Sequence, residues 1–130
     1  MTELHRKILI IDDDDLDRLA IERSLKEAGY MEVTSTATGE EGIYIANSRK
    51  PDLILCDIAL PDADGFEICR RLRKSLKDSV KIIVMTGAVD ALDGEKSLEI
   101  GAVGCVVKNP GYEELIEEVN EFFGVDGHES

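Results

Sequence analysis

The sequence predicts a doubly wound α/β domain, a parallel sheet with helices on both faces. Short apolar runs alternate with amphipathic stretches from end to end, the pattern of repeated βα units. Most of the runs are almost uniformly apolar, as parallel strands covered on both faces are. Breakers separate them at Ala28-Gly29, Lys50-Pro51, Pro61 to Gly65 and Ile100-Gly101. At 130 residues a single domain is expected, at 1–124, followed by a polar tail at 125–130 that frays. A chain of this length buries roughly two thirds of its unfolded surface.

The first strand is expected at Lys7–Ile11, followed by a helix over Leu16–Ala28. The second, Glu32–Ser35, mixes polar and apolar residues and suits a sheet edge; a helix over Glu40–Ser48 follows. Strand three is read at Asp52–Cys56 and its helix at Gly65–Ser75. Strand four, Val80–Met85, leads to the weakest helix, Ala91–Ile100, which Gly94 interrupts. Strand five at Val103–Val107 precedes the clearest helix, Tyr112–Phe123. There Tyr112, Leu115, Ile116, Val119, Phe122 and Phe123 recur at steps of three and four. Right-handed crossovers are expected throughout.

Composition narrows the function. A net charge of −13 argues against a nucleic-acid-binding surface and favours cations and basic protein partners. Cys56, Cys69 and Cys105 have no metal-site spacing. Two of them lie in apolar strands, where Cys acts as a small buried hydrophobe, so a reduced, cytoplasmic protein is expected. The polar amino end reads as no signal peptide, and no apolar stretch approaches the ~20 residues of a membrane helix.

The chemistry gathers where the strands end. Asp57 ends the third run, Asp12-Asp13 follow the first, Thr86 the fourth and Lys108 the fifth. Open α/β sheets place their ligand crevice at that carboxyl edge. Three carboxylates, a hydroxyl and an ammonium meeting there can hold a small divalent cation and handle a phosphoryl group. Mg²⁺ prefers such hard oxygen ligands. Asp14, Asp15 and Asp17 read instead as helix-start residues, whose charge favours the dipole. The EF-hand spacing of Asp13, Asp15 and Asp17 is accidental, because Arg18 stands at the glycine position and Ser24 at the bidentate one. Lys108, pulled into the sheet edge by Val106-Val107, needs an anionic partner such as Asp57.

At these residues the chain resembles the receiver domain of two-component response regulators. The resemblance rests on Lys7 to Asp14, Pro51 to Gly65, Ile82 to Gly87 and Gly101 to Lys108, and runs from about Lys7 to Phe123. It implies a flavodoxin-like five-stranded sheet of order 2-1-3-4-5 with five helices, the order the fold shows elsewhere. It implies that Asp57 takes a phosphoryl group from a phosphohistidine of a sensor kinase or phosphotransfer protein. Asp13, Asp57 and the backbone carbonyl of Ala59 would bind Mg²⁺, with Asp12 acting largely through water. Lys108 and Thr86 would meet the phosphoryl oxygens. With no further domain expected after Phe123, output would pass to another protein, without direct nucleic-acid binding or membrane insertion. Beyond its own phosphorylation and slow dephosphorylation no enzymatic activity is implied.

The chain departs from the family in three places. Asn109 stands where a Pro usually follows the Lys, leaving open whether the Lys108–Asn109 peptide is cis. Cys105 stands where an aromatic ring is common, so no ring switch operates there. Ala59, Gly87 and Ala88 are small and offer no polar group to position an attacking water. Cys105 and Asn109 motivate an alternative, a pseudo-receiver acting as a constitutive docking module. A haloacid-dehalogenase-type phosphatase is disfavoured because Ala59 stands where its second Asp belongs. Nucleotide binding is disfavoured because no glycine-rich loop follows the first strand. His5 and His128 lie in terminal segments and suggest nothing catalytic.

Overall fold

The computed structural model describes residues 6–87, 94–109 and 111–125. Five parallel strands form one sheet in the order β2-β1-β3-β4-β5. They are β1 (Lys7–Ile11), β2 (Glu32–Thr36), β3 (Leu53–Asp57), β4 (Lys81–Thr86) and β5 (Gly104–Val107). Five helices alternate with them: α1 (Asp15–Glu27), α2 (Gly39–Arg49), α3 (Gly65–Leu76), α4 (Gly94–Glu99) and α5 (Glu113–Phe123). A short 3₁₀ turn at Lys77–Ser79 joins α3 to β4. The expected start of the fourth helix at Ala91 lies outside the described residues, as do Ala88, His5, His128, the amino end before Arg6 and most of the tail.

Alternation along the strands divides the core into two layers. Leu9, Ile11, Ile54, Cys56, Ile82 and Val84 face Ala46 of α2 and Phe66, Ile68, Cys69 and Leu72 of α3. Ile8, Ile10, Leu53, Leu55, Ile83 and Met85 face Ile21 and Leu25 of α1 and Leu115 and Val119 of α5. Central strands β1, β3 and β4 are buried on both sides, which is why their sequences carry no polar alternation. β5 corrects the expectation of two-sided cover. It is the second edge strand, with only Val106 of its four residues buried, and Cys105 on it is exposed.

Local chemistry sets the helix boundaries. The Asp14 carboxylate accepts from Asp17 N–H and caps α1, Thr38 accepts from Glu41 N–H and caps α2, and Asp64 accepts from Phe66 N–H and caps α3. α5 begins one residue later than its apolar period suggests. Tyr112 is its N-cap, in the left-handed region at φ 55° and ψ 30°, and its ring still packs partly against the core. Such a conformation costs a bulky residue on the order of 1–3 kcal/mol and persists only where its surroundings hold it. Arg73 of α3 ties that helix to the turn after α4. Its guanidinium donates to the carbonyls of Ile100 (3.0 Å), Gly101 (3.4 Å), Val80 (2.7 Å) and Lys77 (2.6 Å).

Candidate functional site

Parallel register brings the site together. β1 and β3 are neighbours, with Ile11 opposite Cys56, so Asp12 and Asp57 emerge side by side at the carboxyl edge. β4 pairs Met85 with Asp57, and β5 pairs Val107 with Thr86. The strand after Pro51 runs one residue further than expected, so Asp57 is its last residue and is buried. Thr86 ends β4, is buried, and its carbonyl accepts the Lys108 N–H at 2.7 Å. That bond holds the backbone of Lys108 at the edge. The Lys108–Asn109 peptide is trans, since no cis bond occurs among the described residues.

The Asp57 carboxylate is fixed through both oxygens. Oδ1 accepts the Ala59 N–H at 2.8 Å, and Oδ2 accepts Lys108 Nζ at 2.8 Å. Gly65 makes this turn possible. A Cβ there would stand 2.3 Å from the Asp57 carbonyl oxygen and 2.4 Å from Ile58 Cα, so the first turn of α3 packs backbone against backbone. The Ile58 N–H donates to Met85 and the Gly65 N–H to Ile58, while Ala59 bridges Asp64 and closes the loop. Ala59 itself is exposed.

Carboxylate oxygens of Asp12, Asp13 and Asp57 lie within 4.8 Å of one another. Asp12 is fully buried and Asp13 exposed, so the group opens to solvent on one side. Hard oxygens at this spacing fit a divalent cation that keeps part of its water shell. Burial pushes the Asp12 carboxyl up to about 6, and the Asp57 charge adds to the rise. Hydrogen bonds from Lys108 and the Asp14 N–H pull the other way.

The Lys108 side chain is 8% exposed, and its ammonium is bonded to three carboxylates: Asp57 Oδ2 at 2.8 Å, Asp12 Oδ2 at 2.9 Å and Asp17 Oδ2 at 2.9 Å. Burial disfavours its charge, but these three bonds together outweigh it and hold its pKa above the ordinary value. Asp17 corrects the sequence reading, which assigned it to the helix dipole alone. Its second oxygen accepts the Tyr112 hydroxyl. Burial works against its ionisation, yet the bonds from Tyr112 and Lys108 keep its pKa below the usual carboxylate range. Burial and the bond to Asp17 raise the Tyr112 phenol. Sequence reasoning missed Asp17 and Tyr112. The available signal was position: Asp17 stands one helical turn after Asp13, on the face of the sheet that α1 shares with α5.

The sequence profile of the response regulator receiver domain matches residues 8–120. The chain belongs to that family. Receiver domains are in general signalling modules of two-component systems rather than enzymes. Among curated relatives, the transcriptional regulatory protein AfsQ1 of Streptomyces coelicolor is 44% identical over 101 residues, 78% of this chain and 44% of that protein. Response regulator GacA of Pseudomonas aeruginosa is 32% identical over 118 residues, 90% of this chain and 55% of that protein. The receiver thus spans about half the length of the curated relatives it matches. A response regulator receiver domain protein from Methanospirillum hungatei superposes with a TM-score of 0.83 at 31% identity, covering 93% of this chain and 95% of that one. Response regulator TrrA of Thermotoga maritima, in complex with Mg²⁺-BeF, superposes at 0.81 with 32% identity, covering 89% and 97%. Among the described residues no helix is long and apolar enough to cross a membrane.

Proposed function

We propose that this receiver accepts a phosphoryl group on Asp57 from a phosphohistidine of a sensor kinase or phosphotransfer protein. A carboxylate oxygen of Asp57 attacks phosphorus, the phosphorus–nitrogen bond breaks, and the imidazole leaves with the electron pair. Hydrolysis of the acyl phosphate returns the carboxylate. Asp13, Asp57 and the Ala59 carbonyl are the ligands we assign to Mg²⁺, with Asp12 acting largely through water. When bound, Mg²⁺ supplies positive charge that offsets the charge of the transferring group. Lys108 donates to phosphoryl oxygens from one side, and the Thr86 hydroxyl turns to meet them. The reading is supported above all by one observation: a buried ammonium lies 2.8 Å from Asp57 within an acidic cluster of metal-binding size.

The receiver unit is taken as 1–124 with a tail at 125–130, working in the cytoplasm and signalling by protein contact. Phosphorylation acts by favouring one conformer over another. Labelling from acetyl phosphate in Mg²⁺ tests the assignment. Asp57→Asn is expected to abolish acid-labile incorporation, and undiminished labelling of the variant overturns it. The docking-module alternative predicts no amide response around Thr86 to Mg²⁺ and beryllofluoride.

A further inference from the structure

Lys108 has three N–H donors, and three carboxylates take them: Asp12, Asp17 and Asp57, at 2.9, 2.9 and 2.8 Å. A phosphoryl oxygen on Asp57 can be met by this ammonium only if one of those bonds is given up. Asp12 is fully buried, and stripping a donor from a buried carboxylate is costly. Asp12 and Asp57 also belong to the cluster that fits a cation. Asp17 stands outside that cluster, on α1, and its side chain is 30% exposed, so water can replace a departing lysine. Phosphorylation removes the charge of Asp57 itself, and of the two carboxylates that keep theirs Asp17 is the one more easily given up.

A distant side chain also steadies Asp17. Its other oxygen accepts the hydroxyl of Tyr112, at the amino end of α5. Tyr112 is itself fixed: its N–H donates to the Asn109 carbonyl at 2.9 Å, its backbone is left-handed, and its ring packs on the α1–α5 layer of the core. The chain Asp57–Lys108–Asp17–Tyr112 thus runs by direct hydrogen bonds from the phosphorylation site to the start of α5.

Resting on the reading of Asp57 as phosphoryl acceptor, we propose that Asp17 is a positioning residue that competes with the phosphoryl group for the Lys108 ammonium. Its release, transmitted through Tyr112, carries site occupancy to the amino end of α5. In the resting protein Asp17 takes one N–H of Lys108 while Asp57 and Asp12 take the other two. When phosphoryl oxygens take the ammonium, Asp17 keeps only the tyrosine hydroxyl and water. The Asp17–Tyr112 bond then changes in geometry, and α5 responds at its first turn.

The test is titration of beryllofluoride with Mg²⁺ into the wild-type protein, Asp17→Asn, Tyr112→Phe and Asp15→Asn, followed by fluorine and amide NMR. Asp15→Asn removes the same charge from the same helix, at a side chain that is 84% exposed and bonds Arg18 rather than Lys108. Removing a competitor raises affinity by its competing strength, so Asp17→Asn is expected to bind at least about threefold more tightly and Asp15→Asn within about 1.5-fold of wild type. In wild type, binding shifts the amides of Tyr112 to Leu115. In Tyr112→Phe those shifts fall by at least about half, while the Ala59 amide keeps its full response. Equal or weaker binding by Asp17→Asn, or an equal gain in Asp15→Asn, overturns the competition. Undiminished α5 shifts in Tyr112→Phe overturn the transmission. Failure of the wild-type protein to bind beryllofluoride overturns instead the phosphoryl-acceptor reading beneath the proposal, and the proposal with it.

Discussion

Replacing Asp12 by Asn should make the protein more stable at neutral pH and nearly leave it alone in acid. Burial, helped by the neighbouring Asp57 charge, raises the Asp12 carboxyl from its ordinary 3.8 to about 6. The folded state therefore holds this proton more tightly than the unfolded chain does. The stabilisation from that proton is fully present below about pH 3.8 and is lost as pH climbs through about 6. At ~1.4 kcal/mol per pH unit the whole loss is about 3 kcal/mol, of which about 2 kcal/mol falls between about pH 4.5 and about pH 7. Asp12→Asn cannot ionise and escapes the loss. Urea unfolding of both proteins without Mg²⁺ at the two pH values should show the variant gaining about 2 kcal/mol on wild type as pH rises, at equal m-values. Comparison at each pH cancels the opposite contribution of Asp17, whose lowered pKa gives stability that is lost on acidification. A gap between variant and wild type that stays constant with pH would refute the reasoning.

Three further changes probe the same architecture. Lys108→Met strands three carboxylates, two of them buried, and should destabilise the protein by about 3–5 kcal/mol at neutral pH in urea unfolding, a deficit that Mg²⁺ narrows. Gly65→Ala forces a methyl against the Asp57 carbonyl, so a loss of about 2–3 kcal/mol with weakened Mg²⁺ binding by calorimetry is expected. Asp14→Ala removes the α1 cap and should cost about 1 kcal/mol in thermal unfolding, with Mg²⁺ affinity within about twofold.

The strand pattern made the fold legible because both kinds of burial leave a mark in sequence. Doubly covered β1, β3 and β4 read as unbroken apolar runs, and the edge strand β2 reads as mixed. β5 broke the rule: Gly104, Cys105 and Val107 look like core, but an edge position leaves Cys105 exposed. The strand-end residues Asp12, Asp57, Thr86 and Lys108 were legible because the sheet alone decides where strand ends meet. Asp17 and Tyr112 were not. Their contact depends on how α1 lies beside α5 and on a left-handed backbone at a residue whose spacing fits the apolar period of α5. A charge one turn into a helix looks the same whether it meets the dipole or a lysine 91 residues away.

Arg73 gives the molecule a fulcrum. Because its guanidinium grips the carbonyls of Ile100 and Gly101, the trailing end of α4 is riveted to α3 and to the start of β4. Any tilt of α4 would be smallest beside Arg73 and larger toward Gly94. Shortening the guanidinium arm would free the carbonyls of Ile100 and Gly101 and leave the trailing end of α4 without this anchor.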